Sequence, residues 1–193
     1  DYLRCVAGID RAGGRYLDYL EENGLSENTI VVYTSDQGFY LGEHGWFDKR
    51  WMYEESFKMP FLIKNPRTIE AGTNSDAMVM NVDFAPTLID MAGLEIPSEM
   101  QGKSFKGVFE GGQKKQRESV YYHYYEFPIW HKVQPHYGIR TDRYKLMHFY
   151  YSMDEWELYD LKTDPNEMHN IYSEASSELI DRLKKELDEL RIE

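Results

Sequence analysis

The chain has 193 residues, 41% hydrophobic and 15% aromatic, which is enough to bury a core in one or two domains and excludes a disordered chain. Its formal net charge of −12 argues against non-specific binding to nucleic acid or to an anionic membrane, and no apolar run approaches the length of a membrane span. A single cysteine, Cys5, excludes an internal disulfide and leaves the redox compartment open.

Tyr2, Leu3, Val6, Ile9, Tyr16, Leu17 and Leu20 recur at helical spacing and Gly24 follows as a stop, so residues 2–23 are expected to form one helix, weakened at Gly13 and Gly14. Cys5 is expected to be a buried residue of that helix. Because Asp1 falls inside the helical pattern, the chain is expected to continue a longer one, and the absence of a leader is uninformative.

Residues 29–35, Thr-Ile-Val-Val-Tyr-Thr-Ser, carry apolar and β-branched side chains without alternation and read as a strand buried on both faces. The strand delivers Asp36 and Gln37 at its C-terminal end, the edge at which open α/β sheets place their sites. A carboxylate beside a side-chain carbonyl suits Ca²⁺ or Mg²⁺ better than a soft metal, although Asp36 reads equally well as the cap of a turn at Gly38. Gly42 and Gly45 permit tight turns around Glu43 and His44 that bring Lys49 back toward the strand end. A lysine there is a compact charge suited to a tetrahedral anion, and on its own it reads as a solvated surface residue.

Residues 59–64 and 78–82 read as further strands, and Asp83 as the N-cap of a helix running to Met91 with Gly93 as terminator. Alternating helix and strand predicts an α/β core, residues 1–100, with a mainly parallel sheet flanked by helices. A polar, glycine-rich linker is expected over residues 101–118. Residues 119–193 then predict a small antiparallel subdomain with a C-terminal helix. Its strands fall at 119–126, at 137–141 and 144–150 as a hairpin around Asp142, and at 156–161. The closing helix is striped by Leu179, Ile180, Leu183, Leu187 and Leu190.

Five of the six histidines, His123, His131, His136, His148 and His169, lie in that second half without the spacing of a transition-metal site. Tyr, Trp, His and Arg around a proline-containing loop suit a sugar-binding rim better. His136 and Arg140 are the candidates for sugar hydroxyls. His123 is a further candidate, with packing in the aromatic strand as its alternative.

The string Thr34-Ser35-Asp36-Gln37-Gly38, then Gly42-Glu43-His44-Gly45 and Lys49, resembles the second metal-binding segment of sulfatases in the alkaline-phosphatase superfamily. Glu54-Glu55-Ser56, Asn81-Val82-Asp83, Gln101-Gly102-Lys103-Ser104 and residues 156–167 extend the resemblance over nearly the whole chain. It is nearest to the C-terminal portion of enzymes acting on N-acetylglucosamine 6-sulfate. The resemblance implies a sulfuric ester hydrolase for sulfated carbohydrate such as glycosaminoglycan. It implies calcium, or magnesium, held partly by Asp36 and Gln37, and Lys49 as the catalytic and substrate-binding cation facing sulfate. His44 is a further candidate within the motif.

The same resemblance implies a formylglycine nucleophile made from cysteine in Cys-x-Pro/Ala-x-Arg. Cys5 precedes Val6-Ala7-Gly8-Ile9 and does not fit, so this chain alone is expected to be inactive and to need an N-terminal part of the same enzyme as partner. An incomplete sheet would expose apolar surface and invite self-association. The implied location is periplasmic, secreted or lysosomal. Two other readings stay open, a phosphodiesterase or phosphonate hydrolase of the same superfamily and a non-catalytic saccharide-binding module.

Overall fold

The computed structural model describes residues 1–112 and 115–192; positions 113 and 114 of the expected linker, and 193, lie outside the described residues. The first half carries helix α1 (Tyr2–Glu22), strand β1 (Val31–Thr34), the short helix α2 (Glu54–Phe57), strand β2 (Phe61–Lys64), and helices α3 (Phe84–Met91) and α4 (Lys106–Phe109). The second half carries strands β3 (Ser119–Tyr124), β4 (His136–Thr141), β5 (Tyr144–Phe149) and β6 (Glu155–Asp160), closed by helix α5 (Ser177–Ile192).

The four-stranded sheet, ordered β3-β4-β5-β6 and antiparallel throughout, is the centre of the packing. Its side chains alternate between two cores, as the two-residue period of a strand requires. Ile139, Leu146 and Leu158 point to one face, where Leu183 and Leu187 of α5 cover them. Met147, Phe149 and Tyr159 point to the other, where Tyr40, Met52 and Tyr53 of the first half cover them. The loop that follows β1 is thus seated directly on the sheet. Gly138 in β4 lets Met52 approach, since a Cβ there would stand 2.6 Å from the Met52 sulfur.

The α/β class, the antiparallel second half and the closing helix agree with the sequence expectations; four details do not. First, β1 and β2 pair antiparallel, Thr34 opposite Phe61 and Val31 opposite Lys64, because residues 35–60 fold back over the sheet and reverse the chain where a crossover would restore its direction. Second, residues 78–82 form no strand. They find no ladder partner among the described residues and end in a single 3₁₀ turn, Asn81–Asp83.

Third, β1 is open, with Val32 and Tyr33 both exposed, since β2 is its one strand partner among the described residues. Fourth, Cys5 is exposed, because α1 lies on the surface with no buried residue. Leu3 and Tyr16 on α1 are 78% and 74% exposed, so its apolar stripe faces solvent. The connecting segment is packed: Phe105 is buried, and Gly102 comes so near the chain at Val82 that a side chain would not fit.

Asp83 occupies the N-cap position of α3, but its side chain makes no capping bond there. Its carboxylate instead accepts from the N–H groups of Met80 (2.8 Å) and Lys103 (2.9 Å) and pairs with Arg117. Burial opposes its charge, yet the Arg117 hydrogen bonds and both backbone donors hold the carboxyl below the usual range. One buried carboxylate thereby fastens α3 to the segment that leads into β3.

Candidate active site

Asp36 and Gln37 follow β1 directly. Asp36 is exposed, and among the described residues its carboxylate has one weak contact, from the Ser35 hydroxyl at 3.4 Å. Gln37 is half-buried and anchored through its nitrogen. Nε2 donates to Ser56 O at 2.8 Å and Ser56 Oγ at 2.9 Å, and reaches Lys49 O at 3.4 Å. The Ser56 hydroxyl donates to Lys49 O at 2.7 Å. Gly38 permits this closeness: its N–H donates to Ser56 O, and a Cβ at this position would lie 2.1 Å from Glu55 O.

The loop between Gly38 and Lys49 returns because Gly42, Gly45 and His44 all adopt positive φ. His44 is packed inside it, stacked on Tyr53 with ring centroids 4.4 Å apart, its Nε2 3.4 Å from Glu55. Lys49 is half-buried and its ammonium has no hydrogen bond or ion pair among the described residues. Asp36 and Gln37 open onto a cleft of about 950 Å³ that Ser56, Lys58, Tyr122 and Arg140 also line; Lys49 is not on its wall.

Arg140 reaches the cleft from β4 and is held by Glu54, with Nη2 to Oε2 at 3.2 Å and Nε to Oε1 at 3.4 Å. Glu54 also takes Lys58 at 3.3 Å and the buried Lys145 at 2.9 Å. Burial works against its charge, but Lys145 and Arg140 outweigh it and pull the Glu54 carboxyl down to about 2. Asp36, Gln37 and Arg140 thus share one cleft, and Lys49 joins the first two through its backbone.

The two histidines of the expected rim lie elsewhere. His136 is fully buried, stacked on Trp51 and Tyr124 and packed against Phe149, so it cannot touch a sugar hydroxyl from there. The alternation of β4 that points Ile139 toward α5 sends His136 to the opposite core. His123 sits between the hydroxyls of Tyr121 (2.9 Å) and Tyr150 (2.6 Å), the aromatic packing that was its alternative.

Sequence reasoning missed Lys145 and the part played by Ser56. Ser56 stood in the quoted Glu54-Glu55-Ser56 triplet, where a polar run ahead of an apolar strand was its signal. Nothing in the alternating pattern of β5 marks Lys145 as buried.

Two oxygen groups with spare lone pairs, the Asp36 carboxylate and the Gln37 carbonyl, fit a hard cation. No group of three or more His, Cys, Asp or Glu residues converges among the described residues, and a pair falls short of the six or more oxygens that calcium takes.

A two-stranded ladder joined to a four-stranded antiparallel sheet with a closing helix is an arrangement of sulfatase type. The chain belongs to the family described as N-sulphoglucosamine sulphohydrolase, C-terminal, which matches residues 42–193. It is 57% identical over 178 residues to the N-acetylglucosamine-6-O-sulfatase of Bacteroides thetaiotaomicron, covering 91% of this chain and 32% of that protein.

A protein solved in complex with its substrate D-glucosamine-2-N,6-O-disulfate superimposes with a TM-score of 0.92 at 54% identity, over 98% of this chain and 39% of that one. The phosphonate monoester hydrolase of Agrobacterium radiobacter superimposes with a TM-score of 0.84 at 25% identity, over 97% and 40%. The chain spans about a third of the length of the first of these relatives.

Proposed function

We propose that this chain supplies one wall of the active cleft of a sulfuric ester hydrolase that removes sulfate from 6-sulfated N-acetylglucosamine units of glycosaminoglycan. The observation that carries the reading is the junction of Asp36-Gln37 with Lys49 through Ser56, in a chain 57% identical to an N-acetylglucosamine-6-O-sulfatase. Asp36 and the Gln37 oxygen would hold the calcium or magnesium ion, whose chemistry is to neutralise sulfate oxygens. Lys49 does not line this cleft, but its ammonium has no partner among the described residues and would supply a local cation for sulfate in a chain of net charge −12. Arg140, fixed by Glu54, offers directed N–H donors to a sugar ring at the cleft wall.

The formylglycine nucleophile of the family would come from a cysteine in another part of the enzyme, since Cys5 lacks the motif. In the full-length protein, Asp36→Ala and Lys49→Ala should each lower sulfate release from N-acetylglucosamine 6-sulfate by about 100-fold or more, the scale of losing one preorganised charge-stabilising group. Unchanged activity in both variants ends the assignment. The likeness to a phosphonate monoester hydrolase supplies the second reading, and it prevails if a phosphonate monoester is turned over faster than the sulfate ester.

A further inference from the structure

The bonds around Ser56 are one-sided, and the chemistry of each group says which way. Ser56 has a single hydroxyl proton and donates it to Lys49 O at 2.7 Å. Its oxygen therefore meets Gln37 as an acceptor, at 2.9 Å from Nε2. The same nitrogen faces two backbone carbonyls, Ser56 O at 2.8 Å and Lys49 O at 3.4 Å. Turning the amide over would set its oxygen against two carbonyls that can only accept, and would leave Lys49 O without the Ser56 proton if that hydroxyl turned to meet it. The amide orientation is thus imposed by Ser56 and its neighbours, and the Gln37 oxygen is left without a hydrogen bond among the described residues, in the residue that lines the cleft with Asp36. Ser56 itself borders the cleft from behind Gln37, with 0% exposure.

We propose that Ser56 is a positioning residue that holds the Gln37 oxygen in its ligating orientation and fixes the backbone at Lys49, so that one buried hydroxyl sets both halves of the anion site. The inference rests on the metal site of the sulfatase reading. It goes beyond that reading by assigning a role to a residue that meets neither metal nor substrate. It also accounts for glutamine at this position: a glutamate could serve as ligand but could not donate to Ser56 and the two carbonyls.

The test is a calorimetric titration of the full-length protein with calcium. Ser56→Ala should weaken calcium binding roughly 10- to 100-fold, as loss of a group that orients a metal ligand does. In a Gln37→Ala background the same change should cost nothing more, because the two residues act as one unit. Ser56→Thr, which keeps the hydroxyl, should bind close to the unaltered protein. Calcium-free melting curves show whether each variant is folded. Equal affinity of Ser56→Ala and the parent overturns the proposal, and so does an equal loss in both backgrounds, which would mean a general loosening.

Should Ser56→Ala fail to fold, Gln37→Glu decides. Its added charge favours tighter binding and its lost donor favours weaker; weaker binding supports the proposal and tighter binding overturns it. A parent protein that binds neither calcium nor magnesium sinks the metal reading and this inference with it, an outcome distinct from normal binding that ignores Ser56.

Discussion

The ammonium of Lys145 lies 2.7 Å from Glu167 Oε1, and neither side chain has any exposed surface. Glu54 Oε1 stands on the other flank at 2.9 Å, and Glu167 Oε2 accepts the Glu54 N–H at 2.6 Å. The cluster ties β5, the loop after β6 and the start of α2 together behind the cleft. Burial pushes the Glu167 carboxyl up, against the pull of Lys145, while the Glu54 carboxyl is driven down.

Lys145→Met should therefore destabilise the protein by about 3–5 kcal/mol, because it leaves buried carboxylates without their cation. Adding Glu167→Gln, which keeps an acceptor for the Glu54 N–H, should recover part of that loss. Urea denaturation of the two single variants and the double variant measures it, and a purely additive double variant would refute the coupling.

His136 gives the protein an acid-sensitive window of its own. Its Nδ1 lies 2.8 Å from the Gln134 carbonyl, which can only accept, so the proton sits on Nδ1. Nε2 is buried without a partner among the described residues, and burial pushes the imidazole down to about 4 from its ordinary 6.5. Between those values the unfolded chain binds the proton and the folded chain does not, so stability is full above 6.5 and is lost as pH falls toward 4. The loss should total roughly 3 kcal/mol.

Glu54 has a folded pKa below its unfolded one, so its contribution is present above 4.5 and disappears as pH falls toward 2, a separate and lower window. His136→Phe should remove the larger part of the stability loss between pH 6.5 and 4, leaving the share of His123, which burial also pushes down, and should keep the lower window in place, as read from denaturant midpoints across pH.

The second half of the chain was legible because strand alternation and the leucine stripe of α5 each report on a single buried face. Leu146 and Met147, or Leu158 and Tyr159, are neighbours in sequence that serve opposite cores, and a two-residue period announces that. The first half was harder to read. The unbroken apolar run at β1 states that both faces want cover, but carries nothing about which strand pairs with it or in which direction.

Asp36, Gln37 and Lys49 were singled out through their motif. His136 was misplaced because a histidine among tyrosines looks alike from sequence whether it faces solvent or the core. Lys145 and Ser56 act through long-range hydrogen bonds, which leave no periodic trace.

Leu183 has 1% exposure and fills the space between α5 and the sheet with Leu187, Ile139, Leu146 and Leu158. Leu183→Ala should cost about 2–5 kcal/mol through lost burial and the cavity left behind. The site loop packs on the opposite face of the sheet, so calcium affinity measured well below the melting temperature should be unchanged. Ser56→Ala should do the reverse, with affinity lost and most stability kept. Opposite rankings of the two variants by thermal melt and by calcium titration are the expected result.

Gly38→Ala should damage the fold and the site together. The new methyl would start 2.1 Å from Glu55 O and 2.6 Å from Ser56 O, so backbone must move, because no flexible side-chain end is there to yield. Overpacking of this kind costs about 1–3 kcal/mol. The displaced segment, Glu55–Ser56 of α2, is the one whose carbonyls receive the Gly38, Phe39 and Gln37 donors, so the Gln37 amide should lose its anchor along with it.

Calcium affinity should then fall in Gly38→Ala much as in Ser56→Ala. Gly14→Ala supplies the control: Gly14 lies within α1 with nothing within 4 Å of its added carbon, and alanine there should stabilise by about 0.4–1 kcal/mol with no effect on metal. Paired melting and titration curves of the two alanine variants test this, and a Gly38→Ala protein with full calcium affinity would show that the Gln37 anchor survives displacement of the Glu55–Ser56 backbone.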